Sequence, residues 1–146
     1  MASREEAVPV IRTGVSRLAR RLRAERPDHA LTANAVGVLA HLHRHGPSTP
    51  GAVAAAEHQR PQSLTRTYAE LAARGLISRT AGDRDRRESV LAITPAGRRA
   101  LGADMALRDA WLEGALESLT DAEVEIVRIA AELMDRLAGT TSGRTA

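Results

Sequence analysis

Two stretches of the chain carry side chains suited to gripping a polyanion. In PQSLTRTYAELAARG, Pro61 to Gly75, the residues Leu64, Tyr68, Leu71 and Gly75 fall on one helical face, and Gln62, Ser63, Arg66, Thr67 and Glu70 fall away from it. The outward set offers an amide, hydroxyls and a guanidinium. Those groups can read DNA: Arg forks onto guanine O6 and N7, Gln onto adenine N6 and N7, and hydroxyls bind phosphates or base edges. The second stretch, SRTAGDRDRRESVLAITPAG from Ser78 to Gly97, sets Arg79, Arg84, Arg86 and Arg87 beside Asp83, Asp85 and Glu88. A tip of bare arginines would repel itself. Asp83 and Asp85 can accept hydrogen bonds from turn N–H groups and pair with a guanidinium, so their expected role is to hold the turn.

Composition narrows the classes of function. The 146 residues are enough for one domain, and with one Trp, one Tyr and no Phe the core must be packed by Leu, Val, Ile and Ala, which favours helix over sheet. All 21 basic residues are Arg, and the net charge is only +3, but it is unevenly placed. Residues 60–99 hold nine Arg against four acids, whereas residues 100–146 hold four Arg against nine acids. A basic middle and an acidic end imply two jobs. The absence of Cys excludes disulfides and thiol redox sensing, and no run is apolar enough for a membrane span. The opening MASREEAVPVIR lacks the apolar centre of a signal peptide, so a cytoplasmic protein is expected.

The elements that must position these groups follow from periodicity and caps. Val8, Ile11, Val15, Leu18 and Leu22 predict an amphipathic helix over 5–26, closed by Pro27. Thr32 and Gly46 bracket a second, core-facing helix. Ser48 or Thr49 caps a short third helix that starts with Pro50, and a tight link through Gln59 and Arg60 leads to the helix that Pro61 opens and Gly75 ends. Two short helices so joined predict a helix-turn-helix. LISRTA and ESVLAIT, separated by GDRDRR, predict a hairpin with a polar tip. A long helix follows from Thr94. Thr120 and Glu123 form a capping box for a last helix that ends at Gly139, before a small polar tail over 139–146 that is expected to be disordered. The last helix carries two apolar stripes, Ile126, Ala130, Leu133, Leu137 and Val124, Val127, Ala131, Met134; a monomer needs one, so a subunit interface is expected.

An arginine-tipped hairpin beside a candidate recognition helix is a winged helix-turn-helix layout. SLTRTYAELAARGLISRTAGDRDRRESVLAITPAGR resembles the DNA-binding lobe of the MarR family of bacterial transcriptional regulators: a Thr-Arg recognition helix, a Gly-hydrophobic exit, and a wing ending in Leu-Thr-x-x-Gly. The family's Asp-x-Arg wing pair falls on Asp85 and Arg87, with Thr94 and Gly97 completing the pattern and Ile93 standing where Leu is usual. The resemblance implies a mainly α fold of about six helices with a small β-hairpin wing. It implies a winged helix-turn-helix lobe over 32–99, with dimerisation helices over 5–26 and 100–138 in a single MarR-like domain. It implies a homodimer on double-stranded, pseudo-palindromic DNA, usually a repressor, with no cofactor. A small aromatic or anionic effector would bind between the dimer helices and the DNA-binding lobe. Arg66 and its neighbours Gln62, Ser63 and Thr67 would enter the major groove. Arg84, Arg86 and Arg87 would serve the wing, with Arg86 and Arg87 reaching the minor groove or its phosphates.

Other features point less far. His41 and His45, at i and i+4, could share a metal, which leaves a metal-responsive regulator as an alternative; a His near a helix C-terminus is also favoured by the dipole alone, and no metal is expected. Tyr68 is expected inside with its hydroxyl bonded, and Trp111 as apolar mass. No catalytic constellation appears, so an enzyme is not expected. A winged-helix module that docks an acidic protein remains the rival from another class. The outward Gln62, Ser63 and Arg66 suit base edges better than a docking surface, which more often exposes apolar anchors.

Overall fold

In the computed structural model, residues 1, 3–28, 30–82 and 89–140 are described. The order is α1 (Arg4–Ala24), α2 (Ala33–His45), α3 (Pro50–Ala56), α4 (Pro61–Ala73), β1 (Ile77–Ala81), β2 (Ser89–Ile93), α5 (Pro95–Leu116) and α6 (Asp121–Ala138). The chain divides into two compact units, Met1–Arg108 and Asp109–Ala146.

In the first unit the helix starts are set by short polar side chains. Thr32 and Thr49 each accept a hydrogen bond from the backbone N–H three residues on, at 3.2 and 3.1 Å, and each replaces water for one of the orphan donors of a helix start. Between Ser48 and Thr49, the cap of α3 is therefore Thr49. α1 starts at Arg4 on a capping box, with Ser3 and Glu6 bonding each other's backbone N–H. At the other ends, Gly46 (φ 76°) and Gly75 (φ 69°) take the left-handed conformation that a side chain would strain.

The core of this unit joins α2, α3, α4 and the hairpin through Val38, Leu39, Leu42, Val53, Leu64, Leu71 and Leu91, all 0–1% exposed, and Leu101 brings in α5. Tyr68 is buried and its hydroxyl donates to the Pro50 carbonyl at 3.0 Å, as a buried phenol requires. β1 and β2 pair antiparallel from Ile77 opposite Ile93 to Ala81 opposite Ser89. Leu91 exchanges two further backbone bonds with Ser48, at 3.0 and 2.9 Å, which ties the hairpin to the start of α3.

One junction fixes α4, the hairpin and α5 to each other. The Thr94 hydroxyl donates to the Gly75 carbonyl at 2.7 Å and accepts from the Gly97 N–H at 3.0 Å, while the Thr94 N–H donates to the Leu76 carbonyl. Gly97 is there because nothing larger fits: a Cβ would lie 2.1 Å from the Leu76 oxygen. The Thr-x-x-Gly pattern is thus a mechanical joint.

A second clasp reaches across 73 residues. Asp104 on α5, 3% exposed, accepts from the Leu31 N–H at 2.7 Å and from the Arg108 guanidinium at 2.9 Å. Arg26 donates to the Leu31 carbonyl, so both sides of that residue in the link between α1 and α2 are held.

In the second unit α6 starts on the Thr120 and Glu123 capping box, which hydrogen bonding holds ionised: the Glu123 carboxyl sits below its ordinary pKa, first through the Thr120 backbone and then through its hydroxyl. Arg128 pairs with Glu125 and Glu132 along its surface. Gly139 closes the helix and Thr140 bonds back to Leu137; residues 141–146 of the expected tail lie outside the described residues. Neither α1 nor α6 contains a single buried residue within the chain.

Candidate nucleic-acid interface

α3 and α4 form the helix-turn-helix. The turn is made by Glu57, His58, Gln59 and Arg60, with His58 in the left-handed region (φ 52°) and the Gln59 N–H donating to the Ala54 carbonyl at 2.9 Å. The Gln59 side chain donates to Asn34 at 2.9 Å and so anchors the turn to α2. α4 then begins at Pro61, which has no N–H to satisfy, so it needs no side-chain cap there, and the Ser63 N–H donates to the Arg60 carbonyl at 2.9 Å.

Gln62, Ser63 and Arg66 are exposed on α4. Arg66, with its side chain 91% exposed, donates through Nε to Glu70 Oε1 at 2.7 Å. That hydrogen bond, and secondly the charge of the Glu70 carboxylate, raise the guanidinium's pKa, so it stays a full cation. Thr67 is a correction. It is 8% exposed and packs inward with Leu64, Tyr68 and Leu71. Leu64 and Thr67 stand three residues apart, and a helix buries i+3 as well as i+4 and i+7, so the stripe includes Thr67. The hydroxyl that the sequence reading missed is Thr65, exposed one position before Arg66; the same i+3 rule would have found it.

At the base of the wing, Arg79 and Thr80 are exposed on β1. Asp83, Arg84, Asp85, Arg86 and Arg87, assigned to the wing tip, lie outside the described residues, as does Glu88.

The His pair is close, with ring centroids of His41 and His45 4.7 Å apart, and His41 Nε2 lies 3.3 Å from the Ser48 hydroxyl. Partial burial, then the neighbouring His45, push the His41 pKa down, against a smaller upward pull from Glu57. Among the described residues no three His, Asp or Glu side chains gather into a set that could hold a metal ion. A cavity of about 260 Å³ lies where the α1–α2 link, the end of α4 and α5 meet, lined by Pro27, Leu31, Arg74, Ala100, Ala103 and Asp104.

A compact lobe that pairs a helix-turn-helix with a two-stranded wing defines the chain as a winged helix-turn-helix protein. The sequence profile of the MarR family matches residues 30–88. An HTH-type transcriptional regulator of Mycobacterium bovis is 35% identical over 120 residues, covering 82% of this chain and 84% of that protein. The chain belongs to the MarR family of DNA-binding transcriptional regulators, a family of regulators and not of enzymes. Its fold matches that of a MarR family protein of Bacillus stearothermophilus, with a TM-score of 0.77 at 18% identity over 95% of this chain and all of that one. It also matches BpsR of Bordetella bronchiseptica, whose DNA binding is regulated by 6-hydroxynicotinic acid, with a TM-score of 0.63 at 22% identity over 88% of this chain and 98% of that one. No helix among the described residues is long and apolar enough to cross a membrane.

Proposed function

We propose that the protein is a homodimeric repressor that binds a pseudo-palindromic operator and leaves it when a small molecule binds. The observation that carries the DNA reading is the outward face of α4, where Gln62, Ser63, Thr65 and Arg66 stand exposed beside the wing strands. In this reading those four side chains face the major groove. Arg84, Arg86 and Arg87 serve the wing, of which Arg86 and Arg87 reach the minor groove or its phosphates, and Asp83 and Asp85 hold its turn. Since the partner is genomic DNA, the protein works in the cytoplasm.

The exposed apolar residues support the dimer. Val8, Val10, Ile11, Val15 and Leu18 on α1, and Ile126, Val127, Ile129, Leu133, Met134 and Leu137 on α6, are each at least 39% exposed in the single chain. That much apolar surface is covered by a partner, and a second copy with two-fold symmetry would set two α4 helices about one DNA turn, roughly 34 Å, apart. The cavity beside Asp104 and Arg74 supports an effector, and its volume suits a ligand smaller than a typical drug. An aromatic acid of the kind that regulates BpsR has both an apolar ring for Pro27, Leu31 and the alanines and an anion for Arg74. Such a ligand releases DNA by binding one arrangement of α5 and the lobe better than another.

The test is to sequence genomic fragments retained by the purified protein and titrate the recovered duplex against random DNA at several salt concentrations. A sequence-specific excess with a steep salt dependence is expected. Arg66→Ala and Arg87→Ala should each weaken operator binding while the dimer survives, Arg66→Ala also relaxing base preference. Unchanged affinity in both variants sinks the assignment.

A further inference from the structure

The face of α4 assigned to DNA contains one group that no DNA surface should want. Glu70 is an acid, its side chain is 53% exposed, and it stands one turn beyond Arg66 on the outward side. It is not part of the core, and as an exposed ion pair on a helix surface it adds little stability. Near DNA its charge opposes every phosphate, whatever the base sequence.

Its geometry suggests what it does instead. The guanidinium of Arg66 is a rigid planar fork with five N–H donors, and its side chain, 91% exposed, is not held by packing. The hydrogen bond to Glu70 takes the Nε donor at 2.7 Å. What remains is the edge formed by the two terminal nitrogens, which is a pair of parallel donors of the kind that guanine O6 and N7 accept. A mobile arginine would settle on the nearest phosphate oxygen just as readily. One tied back along the helix by Nε presents its fork outward, to whatever lies across from α4.

We propose that Glu70 is a specificity-determining residue of the DNA interface, acting as a positioning residue for Arg66: it orients the guanidinium fork toward a guanine and, by its charge, weakens contact with every non-cognate duplex. This rests on α4 being the base-reading helix. The two effects work in the same direction on the ratio of specific to random binding, the first by improving the right complex and the second by penalising the wrong ones.

The experiment selects bound duplexes from a randomised pool with the wild-type protein and with Arg66→Ala, Glu70→Ala, Glu70→Gln and Arg66→Ala/Glu70→Ala. Base preference is read at each position, and affinity for random duplex is titrated in parallel. Arg66→Ala should lose a guanine preference at one position of each half-site. Glu70→Ala should reduce that same preference about fivefold and raise random-duplex affinity about threefold. Glu70→Gln keeps a carbonyl acceptor for Nε, so it should retain most of the guanine preference while still gaining random-duplex affinity. In the Arg66→Ala background, Glu70→Ala should change no base preference. An unaltered preference in Glu70→Ala overturns the proposal. So does a change at a position that Arg66→Ala leaves alone, since Glu70 would then be reading a base, such as the cytosine amino group, by itself. If the wild-type protein selects no sequence, or Arg66→Ala loses none, the DNA reading of α4 fails first and the role of Glu70 falls with it.

Discussion

Replacing Asp104 tests whether a buried carboxylate on α5 holds the link between α1 and α2. Its two oxygens serve two donors, the Leu31 N–H at 2.7 Å and the Arg108 guanidinium at 2.9 Å, and the side chains of Asp104 and Arg108 are 3% and 13% exposed. In Asp104→Ala both donors lose their partner. A buried N–H left unsatisfied costs about 1–3 kcal/mol, and removing one side of a buried ion pair costs about 3–5 kcal/mol in total. The two figures overlap, and Arg108 can turn partly to water, so a loss of about 3 kcal/mol is expected. Asp104→Asn has the same shape and keeps an oxygen for Leu31 but no charge for Arg108; about 1.5 kcal/mol is expected. For a chain of this size the Ala variant should melt roughly 6–12 °C lower. The assay is urea unfolding followed by far-UV circular dichroism at one protein concentration, because coupling to dimerisation would otherwise shift the midpoint. Asp104→Ala/Arg108→Met should regain at least about 1 kcal/mol over Asp104→Ala, because the unpaired cation is gone. Stability within about 0.5 kcal/mol of wild type for Asp104→Ala, or no difference between Asn and Ala, refutes the reasoning.

Gly97→Ala should cost about 3 kcal/mol or more and weaken operator binding, since its Cβ would stand 2.1 Å from the Leu76 carbonyl oxygen, a backbone atom that cannot step aside without moving the joint between α4 and α5; urea unfolding and duplex titration read both effects, and a wild-type midpoint would show that the joint gives. His41 has a pKa lowered in the folded chain, chiefly by burial and then by His45, so the folded state binds fewer protons than the unfolded one below the ordinary histidine value of 6.5. Its contribution to stability is therefore complete above pH 6.5 and is lost as pH falls through the folded pKa, and His41→Gln should flatten the stability–pH curve in that window, read from urea midpoints between pH 7.5 and 5; an identical slope in the variant removes His41 as the source.

What could be read from sequence and what could not separates along the distance over which each feature is decided. Thr32, Thr120 and Glu123 act on backbone three residues away, and Gly46 and Gly75 act on their own φ, so cap and stop signals located α2, α4 and α6 to within a residue or two. The expected start of α1 at Glu5 is one residue late because apolar periodicity does not register a polar cap, although Ser3 and Glu6 carry the capping-box spacing. Thr67 went to the wrong face for an equally local reason: its hydroxyl marks it as polar, but its position in the i+3 stripe decides its burial, at a modest cost for a small side chain.

Asp104 is different in kind. Nothing within several residues of it calls for a buried acid, and its first partner lies 73 residues back, so only the folded chain shows that it is a clasp and not one more charge in an acidic C-terminal third. Gly97 stands between these cases, because Thr-x-x-Gly is visible as a pattern while its cause, the Leu76 oxygen, is visible only in three dimensions. Glu70 shows the limit for the site itself. Its spacing from Arg66 predicts an ion pair at i+4, but which guanidinium nitrogen the acid takes is what turns that pair from a surface ornament into a device for aiming the other two. If α4 reads bases as proposed, specificity in this interface depends on an acid that charge counting would remove first.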